Sequence, residues 1–343
     1  MKPDFDKLFP TINTVEASGV IRKKPEDFQV TEISNIELSG EGEHLWLYVQ
    51  KTNSNTDWVA KLLSNVCQVP RRQVGFAGLK DRHAITIQWY SIQLPKVTDI
   101  DKINSALPDE IQVIKANRHN RKIRVGQLDN NKFEILIRNI NGDKNLIEDN
   151  IKRIKRNGVP NYFGPQRFGH DMGNISKAKD WFSGIYKPKS KNLKTLLLST
   201  ARSHIFNTIV ANRIEDQTWN TAIDGDILQL DKSHSWFHMN DASQDEISKR
   251  LKEFDIHITA AMYGEDTIQS SGICADFESK IANGFPEYQK GFEKYRLKQD
   301  RRAIRICPID FKYEWQEKNL LLNFQLLPGA YATGVMREII HLS

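Results

Sequence analysis

Apolar and polar residues alternate with a period of two in several parts of this 343-residue chain. Residues 28–33 (FQVTEI), 44–49 and 133–140 show the alternation most clearly, and residues 84–92 and 123–125 fit it as well. A period of two places successive side chains on opposite faces of a strand, so these segments are predicted to be half-buried strands. Together they predict one antiparallel or mixed sheet in the first part of the chain.

A helical spacing of apolar residues marks two further segments in this part of the chain. Trp58, Leu62 and Val66, together with Leu63, recur at helical intervals just after residues 55–57, which are suitable helix-capping residues. Residues 145–157 form an amphipathic segment that is followed directly by a glycine, a common helix stop. Both segments are therefore predicted to be helices.

The pattern changes in the middle of the chain, where helical spacing dominates. Residues 193–209 predict one long helix, and residues 276–302 contain more helical sequence. Strand alternation returns at residues 319–326, and residues 330–342 predict a closing helix.

This succession of patterns predicts an α+β fold with an inserted domain. A sheet domain would comprise residues 1–157 and be completed by residues 306–343, and a largely helical domain would occupy residues 158–305. A chain of this length is also long enough for two domains.

Composition places the chain among folded globular proteins. It is 39% hydrophobic and 27% charged, and no apolar run approaches the roughly 20 residues that a membrane helix needs, so we expect no membrane partner. The first six residues lack the apolar stretch of a signal peptide. The three cysteines, Cys67, Cys274 and Cys307, form no CxxC motif, which favours a reducing, cytoplasmic location.

The basic residues are clustered, and the clusters are more informative than the net charge of +6. Residues 115–124 (KANRHNRKIR) contain five Lys or Arg and no acid, and residues 152–156, 187–194 and 298–305 are basic as well. Such clusters are typical of surfaces that bind nucleic acid phosphates. A solvated charged face is the alternative for any one cluster. Nucleic acid is the leading partner class, and charge alone does not separate RNA from DNA.

Several common catalytic motifs are absent. The chain has no GxxxxGK[ST] phosphate loop, no complete GxGxxG, no GxSxG and no HExxH, and its histidines lack partners at zinc-ligand spacing. We therefore expect an activity that needs neither a metal nor a nucleotide cofactor.

One polar segment between glycines could carry an active site. Asp81 lies between Lys80 and Arg82, shortly after Gly75 and Gly78, which permit unusual backbone angles and a close approach of a ligand. Cationic neighbours favour the ionised form of a carboxylate, and an ionised carboxylate can act as a nucleophile or a general base. An ordinary turn aspartate is the other interpretation.

The same segment, GFAGLKDRHAIT at residues 75–86, resembles the catalytic motif of the TruD family of tRNA pseudouridine synthases. Three further segments resemble elements of this family in the same order along the chain. They are IRKKPEDF at residues 21–28, NYFGPQRFG at residues 161–169, and LPGAYAT at residues 327–333 with the following Arg337-Glu338. The resemblance extends from about residue 21 to residue 339.

The resemblance implies a fold and an activity. The fold would be a pseudouridine synthase-type catalytic domain with a mixed or antiparallel sheet, interrupted by a largely helical α/β inserted domain, the TRUD domain. The activity would be isomerisation of uridine to pseudouridine in tRNA, at position 13 in this family, and it would need no redox, metal or nucleotide cofactor.

The resemblance also implies roles for individual residues. Asp81 matches the aspartate that attacks the target uridine, at either carbon 6 of the base or carbon 1′ of the ribose, and both routes stay open. Arg22 matches the basic residue that pairs with this aspartate, and Lys80 is a second basic neighbour. Asn131 would contact the substrate, and Phe133 would stack on the flipped base.

Two more aromatic residues, Phe28 and Tyr331, match positions that line the substrate pocket in the family. Aromatic stacking offsets the free-energy cost of taking a base out of the tRNA, while packing in a hydrophobic core is the alternative role for each ring. Candidate RNA contacts come from the first basic cluster, from the segment at residues 161–169, and from residues 202–207 (RSHIFN), which also resemble the inserted domain of the family. They are Lys115, Arg118, Arg121, Lys122, Arg124, Arg167 and Arg202.

Two other functions are alternatives to a pseudouridine synthase. An RNA-folding chaperone with a decayed site would bind tRNA without turnover, and an RNA methyltransferase is disfavoured because no glycine-rich loop follows a strand. An enzyme acting on tRNA is the interpretation that the resemblance favours, and we expect it to be a monomer.

Overall fold

The structure is a computed structural model that describes residues 4–94, 99–233, 235–265 and 269–342. The strands in these ranges are β1 (Ser18–Val20), β2 (Phe28–Ile33), β3 (His44–Thr52), β4 (Val74–Phe76), β5 (Ile85–Gln93), β6 (Ile111–His119), β7 (Asn130–Asn141), β8 (Val159–Pro160), β9 (Ile227–Leu230), β10 (Trp236–His238), β11 (Ile256–Met262), β12 (Asp300–Ala303), β13 (Arg305–Ile306), β14 (Ile309–Gln316), β15 (Asn319–Leu326) and β16 (His341–Leu342).

The helices in the same ranges are α1 (Phe5–Leu8), α2 (Thr56–Val66), α3 (Ile100–Asn104), α4 (Lys144–Asn157), α5 (Pro165–Phe168), α6 (Gly173–Phe182), α7 (Lys191–Glu215), α8 (Gln244–Lys252), α9 (Gly272–Asn283), α10 (Pro286–Lys294) and α11 (Ala332–Arg337). None of these helices combines the length and the apolar character that a membrane span requires.

The chain divides into two compact units, and their boundaries differ from the predicted domain boundaries. The sheet unit comprises Glu16–Asp143, Pro308–Gly329 and Ile340–Ser343, and the helical unit comprises the remaining segments, Met1–Val15, Lys144–Cys307 and Ala330–Ile339. Helix α4 therefore groups with the helical unit, although the predicted boundary at residues 157–158 assigns it to the sheet domain. Compact units are defined by contacts and need not coincide with domains, so the domain boundaries at residues 157–158 and 305–306 stay a prediction.

The sheet unit contains one mixed sheet, as the sequence predicted. Its strands follow the order β14-β15-β7-β2-β5-β3-β6, with β4 paired to β5 and β1 paired to both β7 and β16. The β2–β5 and β1–β16 pairs are parallel, and the other pairs are antiparallel. The α+β fold class is thus confirmed.

Helix α2 covers one face of this sheet. Val59 and Leu63 of α2 share a buried cluster with Leu47, Val49 and Tyr90 of β3 and β5. We call the face on which these strand side chains lie the α2 face. Trp58 is 40% exposed, whereas Leu62, Leu63 and Val66 of the predicted apolar set pack on this cluster. The predicted apolar side of the helix therefore faces the sheet at all positions except Trp58.

Strand pairing fixes which other side chains share the α2 face. Val30 of β2 is in register with Thr86 of β5 and with Phe133 of β7, and Thr86 is in register with Lys51 of β3. Residues in register project to the same face, and the alternate residues of each strand project to the opposite face. The active-site candidates of β2 and β7 therefore share the face on which α2 packs.

The predicted strand at residues 123–125 is wrong, and strand β6 was missed. The backbone N–H of Ile123 donates to the side-chain oxygen of Ser91 at 2.9 Å instead of joining a strand ladder. Ile123 is buried against Trp46, so an apolar residue in this loop produced the false signal. In β6 the alternation is broken by a register shift opposite Tyr48 and Val49.

The helical unit is built around α7, which contains the long helix predicted at residues 193–209. A four-stranded antiparallel sheet, in the order β10-β9-β11-β12, belongs to the same unit. The end of the helical prediction at residues 276–302 is wrong because β12 pairs with β11. Arg301 of β12 forms a buried ion pair with Glu278 of α9 at 2.9 Å.

The predicted closing helix is also shorter than expected. Helix α11 ends at Arg337, and the chain then forms β16, which pairs in parallel with β1. The buried Glu338 follows the helix, and its carboxylate accepts hydrogen bonds from the backbone N–H groups of Ile12 and Asn13, at 3.0 and 3.1 Å. These bonds and the strand pairing replace the continued helix.

A buried ion pair secures the C-terminal part of α7. Both terminal nitrogens of Arg213 contact the carboxylate of Asp226 at 2.8 Å, and the two side chains are 1% and 0% exposed. Asp226 also accepts a hydrogen bond from the backbone N–H of Ile223. The carboxylate is thus the common acceptor for a helix and for the turn that leads into β9.

We expect Asp226→Ala to lower the free energy of unfolding by about 3–5 kcal/mol, because it leaves the buried Arg213 without a counter-charge, although its bonds to the backbone oxygens of Thr218 and Thr221 remain. Chemical denaturation of the full chain measures the change. Asp216→Ala is the matched control, since this exposed aspartate follows the end of α7, and its removal should change stability by less than about 0.5 kcal/mol. Equal effects of the two variants would contradict the proposed contribution of the ion pair.

Candidate active site

The segment that contains Asp81 is a loop between β4 and β5, and polar side chains fix its backbone. The amide of Gln88 donates to the carbonyl oxygen of Gly78 at 3.0 Å, and the hydroxyl of Thr56 accepts from the backbone N–H of Lys80 at 3.0 Å. Thr56 and Gln88 are themselves joined by a 3.1 Å hydrogen bond. The start of α2 and the interior of β5 thus hold the loop at two points.

A buried lysine holds the loop at Asp81 itself. Lys51 is fully buried, and its ammonium group donates to the carbonyl oxygens of Ser54 at 2.6 Å and Asp81 at 2.8 Å. Burial lowers the pKa of Lys51 to about 8, although the nearby Asp81 carboxylate opposes the shift. The sequence analysis missed Lys51. The signal that could have found it is a charged residue at a position of β3 where the alternation would place an apolar side chain.

The Asp81 side chain lies beside Arg22 and is open to solvent. Its Oδ2 atom is 3.4 Å from the Nη2 atom of Arg22, and the two side chains are 38% and 25% exposed. The guanidinium of Arg22 also lies over the ring of Phe28, with its carbon 4.1 Å from the ring centroid. Asp81 is therefore a carboxylate that a ligand can reach, with a cation held next to it.

The backbone of Arg22 has an unusual conformation. Its φ angle of 58° lies in the left-handed region, which non-glycine residues adopt infrequently. Strained residues of this kind are concentrated at functional sites, where the surrounding contacts hold them. The contacts with Asp81 and Phe28 are such constraints.

Lys80 does not pair with Asp81. Its ammonium group is 2.9 Å from the carboxylate of Glu32, and the two side chains are only 5% and 1% exposed. The other oxygen of Glu32 accepts a hydrogen bond from the backbone N–H of Trp89 at 3.3 Å. Lys80 thus anchors the loop to β2 and β5, and Arg22 is the cation beside the Asp81 carboxylate.

Glu32 was another residue that the sequence analysis missed. It occupies the third inward position of β2, after Phe28 and Val30, where an alternating strand would ordinarily place an apolar side chain. A charge at an inward position is the signal that could have found it, because buried charges require partners.

The aromatic candidates of the sheet unit pack against one another. The rings of Phe28 and Phe133 meet edge to face with centroids 6.3 Å apart, and Phe133 stacks on Phe324 at 5.4 Å. Phe28 and Phe133 are 1% and 6% exposed. Because Arg22 contacts both Phe28 and Asp81, the aromatic group adjoins the charged pair.

Two neighbouring asparagines carry buried oxygen atoms that have no hydrogen-bond partner among the described residues. These atoms are the side-chain oxygens of Asn130 and Asn131. Asn131 is in register with Glu32 of β2, so it lies on the α2 face with Phe133. An unpaired buried acceptor costs free energy, and a donor from a bound ligand would relieve that cost.

The basic residues of β6 and the following loop differ in their contacts. Arg118 donates to the backbone oxygen of Leu94, and Lys122 donates to that of Arg72 at 2.5 Å. The exposed members of the cluster are Lys115, Arg121, Lys122 and Arg124. Arg118 is thus partly engaged in fixing the local backbone.

The remaining candidates, Arg167, Arg202 and Tyr331, belong to the helical unit. Arg167 donates to the hydroxyl of Ser199 at 3.0 Å, and Tyr331 precedes α11 and packs against the apolar core of this unit. Arg202 donates to the backbone oxygens of Met262 and Lys298, at 2.8 and 3.1 Å, and burial lowers its pKa. Arg202 therefore holds two backbone segments together.

The NYFGPQRFG segment is largely packed inside the helical unit. Asn161, Tyr162 and Phe163 are all less than 9% exposed. The guanidinium of Arg302 lies 4.3 Å from the Phe163 ring centroid and donates to the side-chain oxygen of Asn161 at 2.6 Å. The first half of this motif is thus a packed structural element.

Comparisons with known proteins agree on one family. The family model described as tRNA pseudouridine synthase D (TruD) matches residues 9–178 and 172–339. A tRNA pseudouridine synthase D of Hydrogenovibrio crunogenus is 43% identical over 95% of this chain and 94% of its own length. A protein of the same name from Nitrosococcus oceani is 36% identical over 94% of this chain and 91% of its own length.

The fold is also known from a solved structure. A crystal structure from Methanosarcina mazei, described as that of a tRNA pseudouridine synthase D, has a TM-score of 0.77 to this chain. It is 22% identical in sequence and covers 98% of this chain and 97% of its own chain. At this identity the likeness concerns the fold.

The buried Lys51 predicts a pH dependence of stability. Its folded pKa of about 8 lies below the value of about 10.4 for an unfolded lysine, so the unfolded chain binds more protons between these pH values. The stability of the unmodified chain relative to Lys51→Met should therefore rise by about 1–3 kcal/mol as pH increases from 8 to 10. Urea denaturation of both proteins at a series of pH values measures this difference.

Lys61→Met is the matched control, because Lys61 is exposed on α2. Its stability difference from the unmodified chain should stay constant over the same pH range. A constant difference for Lys51→Met as well would contradict a lowered pKa for the buried ammonium group.

Proposed function

This chain belongs to the TruD family of tRNA pseudouridine synthases, and we propose that it modifies uridine 13 of tRNA with Asp81 as the catalytic nucleophile. The chain is an isomerase that converts uridine to pseudouridine in tRNA. The position in the tRNA and the roles of individual residues are the parts that we propose.

The observation that carries the proposal is the Asp81–Arg22 pair on a fixed loop. A nucleophilic carboxylate must be ionised, reachable and held in one geometry. Asp81 is 38% exposed and has a guanidinium 3.4 Å away, and its backbone oxygen is held by Lys51. These three properties meet the requirements at one residue.

The reaction exchanges one bond for another. The bond between N1 of the uracil and carbon 1′ of the ribose breaks, and a bond between carbon 5 of the uracil and the same ribose carbon forms. Carbon 5 loses a proton and N1 gains one, so no electron or phosphoryl group is transferred. We accordingly propose that the enzyme uses no metal and no nucleotide cofactor.

We propose that the aromatic group and Asn131 receive the flipped uracil. Removing a base from a folded tRNA costs a few kcal/mol, and stacking on an aromatic ring returns about 1–3 kcal/mol. Phe133 would supply the stacking ring, and Phe28 would line the pocket. The unpaired side-chain oxygen of Asn131 would accept a hydrogen bond from the N3–H group of the uracil.

We propose that the exposed basic side chains near β6 bind the tRNA backbone. Lys115, Arg121 and Arg124 are exposed and can reach phosphates. Arg118, Lys122, Arg167 and Arg202 make contacts within the protein, so their contribution to RNA binding would be combined with a structural one. The enzyme would act as a monomer in the cytoplasm, where its tRNA substrate is located.

We expect Asp81→Ala to lower the rate of pseudouridine formation by about 1,000-fold or more, because it removes the nucleophile. Chemical mapping of pseudouridine at position 13 of an unmodified tRNA transcript measures the product. Binding of tRNA should persist, because the substitution removes a negative charge from a site that receives an anionic substrate.

Asp109→Ala serves as the control, since Asp109 is an exposed aspartate of the same unit. This variant should retain the full rate. Pseudouridine formation that survives Asp81→Ala would overturn the role of Asp81, and modification at another uridine would overturn the proposed position. Binding of tRNA by the unmodified chain without any turnover would favour an RNA chaperone instead.

A further inference from the structure

A pocket of about 490 Å³ lies in the sheet unit and is separate from the Asp81 loop. Its lining includes two aromatic rings, one lysine and one asparagine, together with the apolar side chains of the segment before β3. These residues are Tyr48, Trp89, Lys115, Asn117, Ile36 and Leu38. Glu32 also belongs to the lining, but its side chain is 1% exposed and is paired with Lys80. The groups that a ligand can contact are therefore the rings, the cation and the amide.

Strand register places the pocket on the face opposite α2. Tyr48 is in register with Trp89 of β5 and with Lys115 of β6, so the three side chains share a face. Their neighbours Val49 and Gln88 are in register with each other and lie on the α2 face. The pocket and the Asp81 loop are therefore on opposite faces of one sheet.

The two rings of the pocket are held in place. Their centroids are 4.9 Å apart, and the planes are inclined by 41°. The hydroxyl of Tyr48 donates to the backbone oxygen of Glu32 at 3.0 Å, and Trp89 also packs against Trp46. Both rings are half-buried, so each retains accessible surface. A fixed, half-exposed ring binds a flat ligand with little loss of side-chain entropy.

The lysine adds a positive charge at the rings. The ammonium group of Lys115 is 4.9 Å from the centroid of Tyr48 and 5.4 Å from that of Trp89. Within the described residues its contacts are with these two rings, and it has no carboxylate partner. The charge is therefore available to an anion that accompanies a flat group bound at the rings.

The asparagine supplies a hydrogen-bond donor. The side-chain oxygen of Asn117 accepts from the backbone N–H of Arg118 at 2.8 Å. This bond leaves the amide nitrogen of Asn117 to donate to a ligand. Nucleobases present carbonyl oxygens and ring nitrogens at their edges, and such a donor can bind either.

We propose that this pocket binds an unpaired nucleotide of the tRNA other than the target uridine. The base would stack on Trp89 beside Tyr48, its edge would accept a hydrogen bond from Asn117, and its phosphate would contact Lys115. Stacking rings beside a cation are the usual means of binding single-stranded nucleotides. The inference rests on tRNA as the substrate, and it adds a second point of contact on the face away from Asp81.

Affinity measurements in a non-reacting background test the pocket apart from the chemistry. With Asp81→Ala present in every protein, the Kd for an unmodified tRNA transcript is measured at several salt concentrations. Trp89→Leu should weaken binding by about 5- to 100-fold, because it removes the stacking ring. Trp89→Phe keeps a ring and should retain most of the affinity.

The charge is tested in the same assay. Lys115→Ala should weaken binding and reduce the slope of log Kd against log salt concentration by about one. Lys318→Ala removes an equal charge from the exposed turn between β14 and β15 and should leave the Kd unchanged. Ultraviolet cross-linking of the tRNA to the protein should in addition yield a cross-linked peptide that contains Tyr48 or Trp89.

The pocket would be excluded as a nucleotide site by one set of results. These are an unchanged Kd and salt slope for Lys115→Ala together with no cross-link in β3, β5 or β6. This criterion stands even where Trp89→Leu fails to fold, because Lys115 is exposed. Turnover by the unmodified chain reports on the proposed function alone, so its failure and the failure of the pocket are distinguishable.

Discussion

Two buried ammonium groups lie beside the Asp81 loop, and the geometry of the candidate active site depends on how each is compensated. Taking an ammonium group out of water costs several kcal/mol unless close partners replace the water. Lys80 has the Glu32 carboxylate at 2.9 Å, and Lys51 has the carbonyl oxygens of Ser54 and Asp81. Since each partner comes from a different part of the chain, this compensation joins β2, β3, the turn before α2 and the loop.

This requirement explains why Asp81 can be both held and reachable. The fixed contacts are made by its backbone oxygen and by the neighbouring Lys80, while its carboxylate faces solvent beside Arg22. The backbone oxygen of Asp81 thus fixes the position of the residue, and its carboxylate stays accessible to a ligand. Such an arrangement gives a nucleophile a defined direction without burying it.

One sheet serves two purposes because its strands alternate. On the α2 face, Phe28 and Phe133 adjoin the charged pair of Asp81 and Arg22, and we propose that the isomerisation takes place there. On the opposite face, Tyr48 and Trp89 form a half-exposed aromatic pair, and we propose that it receives a second nucleotide. Contacts on both faces would allow the same sheet to recognise tRNA beyond the reacting base.

The sequence by itself indicated the family, because the resembling motifs are contiguous segments. It also predicted the α+β class, the main strands and α7, because period-two alternation and long helical spacing are local properties. It also offered Asp81 and Arg22 as candidate site residues, and the structure brings their side chains to within 3.4 Å of each other. Only the tertiary structure decided that Lys80 pairs with Glu32 and that Lys51 holds the backbone of Asp81. It also decided that strands β12 and β16 form where the sequence predicted helix. These features depend on partners far apart in the chain, and local patterns carry no information about which distant residue will supply a buried charge or a strand edge.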